Sequence, residues 1–504
     1  MSEEAAVNMK EVELSEIDPE KQPMTSDGQE KNGGIKPEVP QARAPFTGLT
    51  KEELMKVADT PGWVRTRWAL LILFWVVLVS MLIAVIVITL KAPRCKPIPD
   101  INWWIEGPLY QISDVEAFSE GIEGVEAKLD EISRLRVKGL VLGPFHTLQD
   151  DQPNTLNLEE IDPAYGTESG LTNVLNKAHK KGISVVLDLT PNYRGEDSWF
   201  SSSVENELMN RVKAAAEYWL QFGFDGIKIS DFNVASSSIE WLELQAAVQG
   251  NRTDDTKKKA LIGVVTSVSA EDVNQLINTT GVDLLLSDLL DKSGGKERIK
   301  AMDILSSMQG SVGWGLGAAQ NNQLSKSTSL IRLYQLLLFT MPGTPVFTYG
   351  DEIGLNTQGA ASPKMIWDIE KKLLELADAV NETAEAEWKE HVTIKKWFKS
   401  LSDLRGKERS LLHGDYYSLY SADSSIAFLR IWDQSDRYIT AVNWGTTPEK
   451  LTFTLTPTEG VELPEKAKVQ LSTDENLKVD SSVSLDSITL GPGQAVLLQF
   501  PYIG

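Results

Sequence analysis

The sequence predicts an α/β protein: a single transmembrane helix, followed by a (β/α)8 TIM barrel and a C-terminal antiparallel β-sandwich. Three observations predict this order. Residues 69–90 carry no charge, proline or glycine and span ~33 Å as a helix, enough to cross a bilayer. Apolar strand-like runs then alternate with amphipathic helices, which is typical of a parallel sheet covered on both faces. Short β-rich segments separated by turn residues close the chain.

Composition and the N-terminal region set the first bounds. The net charge of −22 excludes nucleic acid as a partner, because phosphate binding needs a basic face. Residues 1–49 are rich in polar residues and poor in aromatic ones, so we expect a disordered cytoplasmic tail. In the juxtamembrane segment 50–68, a capping-box pattern at Thr50 predicts a short helix that Pro61 should end.

We interpret the apolar run 69–90 as a membrane-spanning helix. A buried core helix is the alternative, but core helices seldom stay apolar on every face for six turns. No cleavable signal peptide precedes the run, so we expect it to act as both signal and anchor. Basic residues are divided almost evenly between its two flanks, so the positive-inside rule does not determine the orientation of the helix in the membrane. The large C-terminal part favours a single-pass type II protein with a cytoplasmic N-terminus.

The segment after the helix, residues 91–102, is the predicted extracellular neck and contains Cys95, the one cysteine of the sequence. An odd cysteine on the oxidising side has no internal partner, which indicates an intermolecular disulfide. Palmitoylation of a juxtamembrane cysteine is the alternative. Sequons at Asn251, Asn278 and Asn381 predict N-glycosylation and fit an extracellular C-terminal part.

The barrel is predicted within residues 103–409 from eight apolar runs, which match the strand count of a closed (β/α)8 barrel. These runs are residues 110–112, 139–145, 184–190, 226–230, 260–266, 283–287, 312–316 and 345–350. A doubly wound open sheet is the alternative, but no Gly-x-Gly-x-x-Gly follows the first strand. The β-sandwich is predicted over 410–504, with strands at 418–420, 426–431, 438–443, 450–454, 468–471 and 495–500.

Several motifs resemble the α-amylase family of glycoside hydrolases. Residues 343–354 (GTPVFTYGDEIG) look like its last barrel strand, and residues 161–166 (IDPAYG) and 186–192 (VLDLTPN) resemble its segments around the third strand. Residues 401–414 and 426–443 resemble its junction with the C-terminal sandwich. The resemblance implies a TIM barrel whose chemistry needs two carboxylates, one as nucleophile and one as acid/base.

The chain differs from that family at the positions of the catalytic residues. The family's fourth-strand motif, Gly-Phe-Arg-x-Asp, reads GIKIS here, which puts Ser230 at the nucleophile position and Lys228 at that of the supporting arginine. Val264 stands at the position of the general acid, and Tyr193 at that of a histidine. The resemblance therefore implies a barrel without glycosidase activity.

Three acidic residues of the family pattern remain, namely Asp188, Asp351 and Glu352. Without a nucleophile and a general acid, we expect them to make structural hydrogen bonds in turns and loops. Only about thirty residues separate the third-strand motif from the fourth strand, so the subdomain that the family usually inserts there is missing.

The anchor, the membrane-proximal cysteine, the amylase-like barrel and the sandwich together resemble the heavy chains of heteromeric amino-acid transporters. Residues 61–68, 92–95, 191–195 and 407–414 carry further local similarity to the heavy chains that lack the inserted subdomain. The resemblance implies a light-chain transporter as partner, of the L-type, y+L-type, asc-type or cystine/glutamate exchanger class. This light chain would be held through Cys95, the transmembrane helix and the ectodomain. The heavy chain would stabilise it and bring it to the plasma membrane for amino-acid exchange.

The chain is also expected to have partners other than the light chain, and two other functions are possible. The resemblance suggests integrin β subunits as additional partners, and the span itself contacts membrane lipid. A membrane-anchored α-glucosidase-like ectoenzyme and an adhesion or integrin-associated receptor are the alternative functions. No cofactor is expected, because four scattered histidines and one cysteine offer no metal-ligand spacing.

Overall fold

The computed structural model describes residues 50–91, 95–148, 156–193, 205–250, 258–291, 294–320, 324, 330–355, 362–376, 382–456 and 461–502. The predicted tail, residues 1–49, lies outside the described residues. The chain divides into two compact units, Met1–Pro93 and Arg94–Gly504. The first contains the apolar helix, and the second contains the barrel and the C-terminal sheets.

The described part of the first unit consists of helices α1 (Lys51–Ala58) and α2 (Pro61–Lys91). The predicted capping box is confirmed, since the Glu53 carboxylate accepts hydrogen bonds from the Thr50 backbone N–H (3.1 Å) and hydroxyl (2.9 Å). Pro61 follows the end of α1 as expected, but it also begins α2, because its fixed φ suits a first helical position. Helix α2 buries none of its side chains, and among the described residues it alone is long and apolar enough to span a membrane.

The second unit contains eighteen strands among its described residues. In chain order they are β1 (Leu109–Ile112), β2 (Gly139–Leu142), β3 (His146–Thr147), β4 (Asn157–Ile161), β5 (Ser184–Asp188), β6 (Gly226–Ile229), β7 (Ala260–Val265), β8 (Leu284–Ser287), β9 (Val312–Trp314), β10 (Thr344–Thr348), β11 (Asp415–Ser421), β12 (Ser425–Ile431), β13 (Arg437–Asn443), β14 (Glu449–Leu451), β15 (Lys466–Ser472), β16 (Ser482–Ser484), β17 (Ile488–Leu490) and β18 (Gln494–Phe500).

Helices separate most of the barrel strands. In chain order they are α3 (Trp103–Glu106), α4 (Val115–Ser119), α5 (Ile122–Arg134), α6 (Glu168–Lys180), α7 (Glu205–Phe222), α8 (Phe232–Ala235), α9 (Trp241–Gln249), α10 (Ala270–Thr280), α11 (Gly295–Leu305), α12 (Ile331–Thr340), α13 (Ile369–Leu376), α14 (Glu382–Lys407) and α15 (Arg409–Leu412). Each long helix turns an apolar stripe inward; α5, for example, buries Val125, Leu129 and Ile132.

Eight parallel strands close into a barrel in the order β1-β10-β9-β8-β7-β6-β5-β2, which confirms the predicted barrel over the open sheet. Its interior is filled with side chains, as in other barrels of this size. Trp104 on α3 joins this interior cluster, and the Thr344 hydroxyl donates to its carbonyl oxygen (2.9 Å). Ala318 joins the same cluster, and its carbonyl accepts from the Gln111 amide (2.9 Å). The barrel is therefore a packed core rather than a pore.

The C-terminal domain is antiparallel, as predicted, and has two unequal layers. One is a six-stranded sheet in the order β11-β12-β13-β18-β15-β16, and the other pairs β14 with β17. Apolar side chains of both sheets form one cluster, to which Leu451 and Leu490 contribute from the small sheet and Val469 and Leu498 from the large one. Strands β16 and β17 have three residues each and were not among the predicted strands.

Candidate functional site

A buried ion pair lies inside the barrel near the carboxyl ends of two neighbouring strands. Asp188 ends β5, and Lys228 is its direct partner in the register of β6. The Lys228 Nζ lies 2.8 Å from the Asp188 Oδ2, and only 2% and 0% of these side chains are exposed. The other Asp188 oxygen accepts hydrogen bonds from the Thr190 N–H (3.0 Å) and hydroxyl (2.6 Å). The carboxylate is thus neutralised and held in place from both sides.

Ser230, at the predicted nucleophile position, joins the same group of residues. Its hydroxyl oxygen lies 2.9 Å from that of Thr190. Because Thr190 donates its single hydroxyl proton to Asp188, Ser230 must donate in this second hydrogen bond. Val264, at the predicted general-acid position, is 1% exposed and belongs to the apolar interior of the barrel. An aliphatic side chain offers no proton, so this position supplies packing only.

Tyr193 lies against His146 rather than in an open cleft. Its phenol donates to the His146 carbonyl oxygen (3.1 Å), and the two rings meet edge to face at 4.9 Å. The His146 Nε2 lies 3.0 Å from the Pro191 carbonyl oxygen. These contacts join strand β3 to the loop that follows β5.

The two acidic residues that follow β10 are buried and hydrogen-bonded, as the sequence led us to expect. Asp351 accepts from the backbone N–H groups of Leu324 (2.6 Å) and Thr348 (2.8 Å). Glu352 accepts from the Tyr110 hydroxyl (2.8 Å) and the Gly350 N–H (2.9 Å). Burial raises the pKa of Glu352 to about 6 and that of Asp351 well above its usual range, because the charged forms lose their hydration.

The neck is attached to the C-terminal sheet one residue after Cys95. The Cys95 side chain is exposed. The Lys96 N–H donates to the Asp433 Oδ2 (3.0 Å), its Nζ lies 3.7 Å from the Asp415 Oδ2, and the same ammonium sits 4.7 Å from the Trp432 ring centre. Sequence reasoning missed Lys96, because its contacts lie more than 300 positions away. They hold the backbone beside the thiol against the folded domain.

Of the three predicted sequons, the structure describes one. Asn278 is exposed on α10, and its side-chain amide donates to the Asn274 carbonyl oxygen (2.9 Å). Asn251 and Asn381 lie outside the described residues.

Within the part of the chain that the structure describes, no group of three or more histidine, cysteine or acidic side chains has the arrangement of a metal site. Histidines there make other contacts instead. His179 lies 2.8 Å from the Asp225 carboxylate, and the His391 Nδ1 lies 2.7 Å from the Ile353 carbonyl oxygen.

Comparison with known proteins identifies relatives along the whole chain. Residues 35–110 match the family described as solute carrier family 3 member 2 N-terminus, and residues 113–222 match alpha amylase, catalytic domain. The chain is 40% identical to the amino acid transporter heavy chain SLC3A2 of Oryctolagus cuniculus, over 100% of both chains. It is 22% identical to the human amino acid transporter heavy chain SLC3A1, over 90% of this chain and 86% of that one.

Solved structures share the barrel architecture at lower identity. The trehalulose synthase MutB of Pseudomonas mesoacidophila superposes with a TM-score of 0.57 at 13% identity, covering 80% of this chain and 100% of that one. The trehalose-6-phosphate hydrolase of Bacillus licheniformis gives a TM-score of 0.55 at 16% identity, covering 79% of this chain and 100% of that one. At this level the likeness establishes the fold alone.

Proposed function

The chain belongs to the family of amino-acid transporter heavy chains, and from that premise we propose that it is a non-catalytic subunit that is disulfide-linked to a multi-span light chain. In this proposal the heavy chain stabilises the light chain and brings it to the plasma membrane. Helix α2 spans the bilayer once, with the N-terminus in the cytoplasm and residues 91–102 as an extracellular neck. The light chain carries the path for the amino acids.

The observation that carries the proposal is the position of Cys95. Its thiol is exposed, and it lies between a helix that buries none of its side chains and a residue that is fixed on the folded domain. Because it follows the last residue of α2, Lys91, by four positions, we expect it near the membrane surface, within reach of a partner's cysteine. The oxidising compartment outside the cell favours such a bond.

The two membrane contacts strengthen each other. A contact between α2 and helices of the light chain in lipid is worth little by itself, because lipid tails solvate apolar side chains as well as a helix does. Once the disulfide forms, the helix contact becomes intramolecular, and its effective concentration rises. The ectodomain adds a third contact on the outer loops of the light chain. We propose that this avidity keeps the complex together during its transport to the cell surface.

The proposal includes the absence of glycosidase chemistry. Hydrolysis in the α-amylase family needs a carboxylate nucleophile and a carboxylic acid. Their positions here hold Ser230 and Val264, and Asp188 is neutralised by Lys228. We further propose that Asn251, Asn278 and Asn381 carry N-linked glycans. The light chain would belong to one of the four exchanger classes, and the heavy chain would also associate with integrin β subunits.

The experiment that tests the proposal is affinity purification of the full chain from surface-labelled cells, followed by electrophoresis with and without reductant. We expect an adduct with a polytopic membrane protein that collapses on reduction and disappears in Cys95→Ser. A chain that reaches the surface without any disulfide-linked partner overturns the proposal and favours an adhesion receptor.

A further inference from the structure

A cavity of about 340 Å³ opens at the amino-terminal end of the barrel, where helix α14 ends beside β1 and β2. This is the opposite end from the Asp188–Lys228 pair. The charged residues of its wall are Glu106, Arg136, Lys138, Asp403, Arg405 and Lys407. Four of these are cations and two are carboxylates, although the whole chain carries a net charge of −22. The wall of the cavity therefore carries a local excess of positive charge, although the protein as a whole is acidic.

Arg405 is the buried cation of this cavity, with 1% of its surface exposed. Its guanidinium donates to the carbonyl oxygens of Phe339 (2.7 Å), Met341 (3.2 Å) and Gly343. Its Nε has no hydrogen-bond partner among the described residues, and no described carboxylate forms an ion pair with it. The three carbonyl dipoles compensate part of its charge, and the surrounding protein screens the remainder poorly.

A second buried arginine reinforces this field. Arg430 is 0% exposed and donates to the carbonyl oxygens of Thr340 (3.0 Å) and Gly414 (2.9 Å), again without an ion pair among the described residues. Burial lowers the pKa of Arg405 to about 10 and that of Arg430 well below its usual range, the latter also through repulsion by Arg405. Burial lowers the pKa of His413, and the charges of Arg405, Arg409 and Arg430 lower it further. The repulsion among these cations agrees with a region of unbalanced positive potential.

The outer wall of the cavity carries cations that can turn toward a ligand. The Arg136 Nε lies 3.0 Å from the Asp403 carboxylate, and the Lys138 Nζ lies 2.6 Å from that of Glu106. These pairs are partly exposed, so each costs little to rearrange. Lys407 makes no hydrogen bond or ion pair among the described residues.

We propose that this cavity binds a small oxyanion, a phosphate group. The ammonium groups of Lys138 and Lys407 on the cavity wall, once Lys138 leaves Glu106, match the oxygens of a phosphate, and the low-dielectric surroundings of Arg405 strengthen the attraction of an anion. The phosphate group belongs either to free inorganic phosphate or to the headgroup of a membrane lipid. The role of the chain as a heavy subunit does not require this site, so the inference stands or falls by itself.

The test is a titration of the full chain, purified in detergent, with inorganic phosphate at constant ionic strength, followed by calorimetry and by the thermal unfolding midpoint. We expect saturable binding that raises the midpoint. The variant Lys138→Gln/Lys407→Gln should bind phosphate at least about tenfold more weakly, because two charge-assisted contacts are lost. Lys450→Gln/Lys466→Gln, which changes two exposed lysines of the C-terminal sheets, should bind as the unchanged chain does. Arg405 is left intact, because its three carbonyl contacts hold the fold.

A second arm identifies the source of the phosphate group. Vesicles of phosphatidylcholine with and without phosphatidic acid are offered to the same proteins. Competition between phosphatidic acid vesicles and inorganic phosphate assigns the site to a lipid headgroup, and binding of inorganic phosphate without such competition assigns it to the free ion. The proposal is overturned if neither probe binds saturably, or if the Lys138→Gln/Lys407→Gln variant binds as tightly as its control.

Discussion

The ammonium of Lys228 lies 2.8 Å from the carboxylate of Asp188, and water reaches almost none of either side chain. The resemblance to the α-amylase family predicts that Lys228 stands at the position of the arginine that supports the nucleophile. Here, Lys228 makes Asp188, one of the three remaining acidic residues, part of a structural ion pair. Thr190 then connects this pair to Ser230, the residue at the predicted nucleophile position.

The first prediction concerns the cost of breaking this pair. Lys228→Met leaves the Asp188 charge buried without its partner, so we expect the free energy of unfolding to fall by about 3–5 kcal/mol. Lys228→Met/Asp188→Asn removes both charges and should recover most of this loss. The free energy of unfolding of the unchanged chain and of both variants is measured from tryptophan fluorescence during denaturant unfolding of the full chain in detergent.

An exposed pair provides the matched control. Lys468 lies 2.7 Å from Asp480, with 51% and 71% of the side chains exposed, so Lys468→Met should cost only a small fraction of that loss. Equal losses in Lys228→Met and Lys468→Met would show that the buried pair is not needed for stability.

The second prediction concerns hydrolysis. The purified full chain should release no p-nitrophenol from p-nitrophenyl α-glucoside above the buffer rate. Ser230→Asp restores one carboxylate but no general acid, so it should gain no activity. An active α-glucosidase in the same detergent serves as the positive control. Turnover by the unchanged chain that Asp188→Asn abolishes would instead support the ectoenzyme alternative.

The third prediction concerns pH and Glu352. Burial raises its pKa from 4.5 to about 6, so between these values the folded state binds more protons than the unfolded state. The contribution of this group to stability is therefore present below about pH 4.5 and is lost as the pH rises through 6. The shift corresponds to roughly 2 kcal/mol. The difference in unfolding free energy between the unchanged chain and Glu352→Gln should rise by this amount from pH 7 to pH 4.5.

Comparison with a variant removes the contribution of carboxylates that do not interact with Glu352, whereas the pKa of Asp351, which the Glu352 charge raises, changes with it. Glu475→Gln changes an exposed residue and should leave the difference nearly independent of pH. A flat profile for Glu352→Gln as well would mean that the Glu352 carboxyl does not carry the shifted pKa.

The fourth prediction concerns Lys96. Its three contacts with Asp433, Asp415 and Trp432 fix the backbone beside Cys95. Lys96→Ala removes the contacts with Asp415 and Trp432 and keeps the N–H bond to Asp433, so the neck should be held less firmly. The disulfide with the partner should then form more slowly, by about twofold or more, while the non-covalent complex persists. The measurement is the ratio of covalent to total complex over time after reductant is removed. Lys466→Ala, which changes an exposed side chain at the start of β15, is the control, and an equal ratio in both variants would rule out a positioning role.

The barrel could be predicted because its strands are buried on both faces. Runs such as β7 (ALIGVV) have no charged or strongly polar residue at any position, which is typical of a strand covered on both faces. The hairpin of β3 and β4 could not be predicted in this way, since β4 reads NLEEI and buries only two of its five side chains. Strands β16 and β17 have three residues each, too few for a period to appear.

The candidate site could be predicted in part. Motif order placed Asp188, Lys228 and Ser230 at the carboxyl ends of strands, and parallel register then brings the first two side by side. The residues next to Lys228 in the sequence do not predict its ion pair with Asp188. The pair forms because both side chains are buried inside the barrel, where each needs an opposite charge. The same limit applies to Lys96, whose partners at Asp415 and Asp433 come from another part of the chain.

The most direct test of the proposed function is mass spectrometry of the disulfide-linked peptides of the full chain, isolated from cell membranes under non-reducing conditions with free thiols blocked. We expect Cys95 joined to a peptide from a polytopic amino-acid transporter. A Cys95 that carries the blocking reagent, a lipid or a second copy of this chain would contradict the role of the chain as a disulfide-linked heavy subunit.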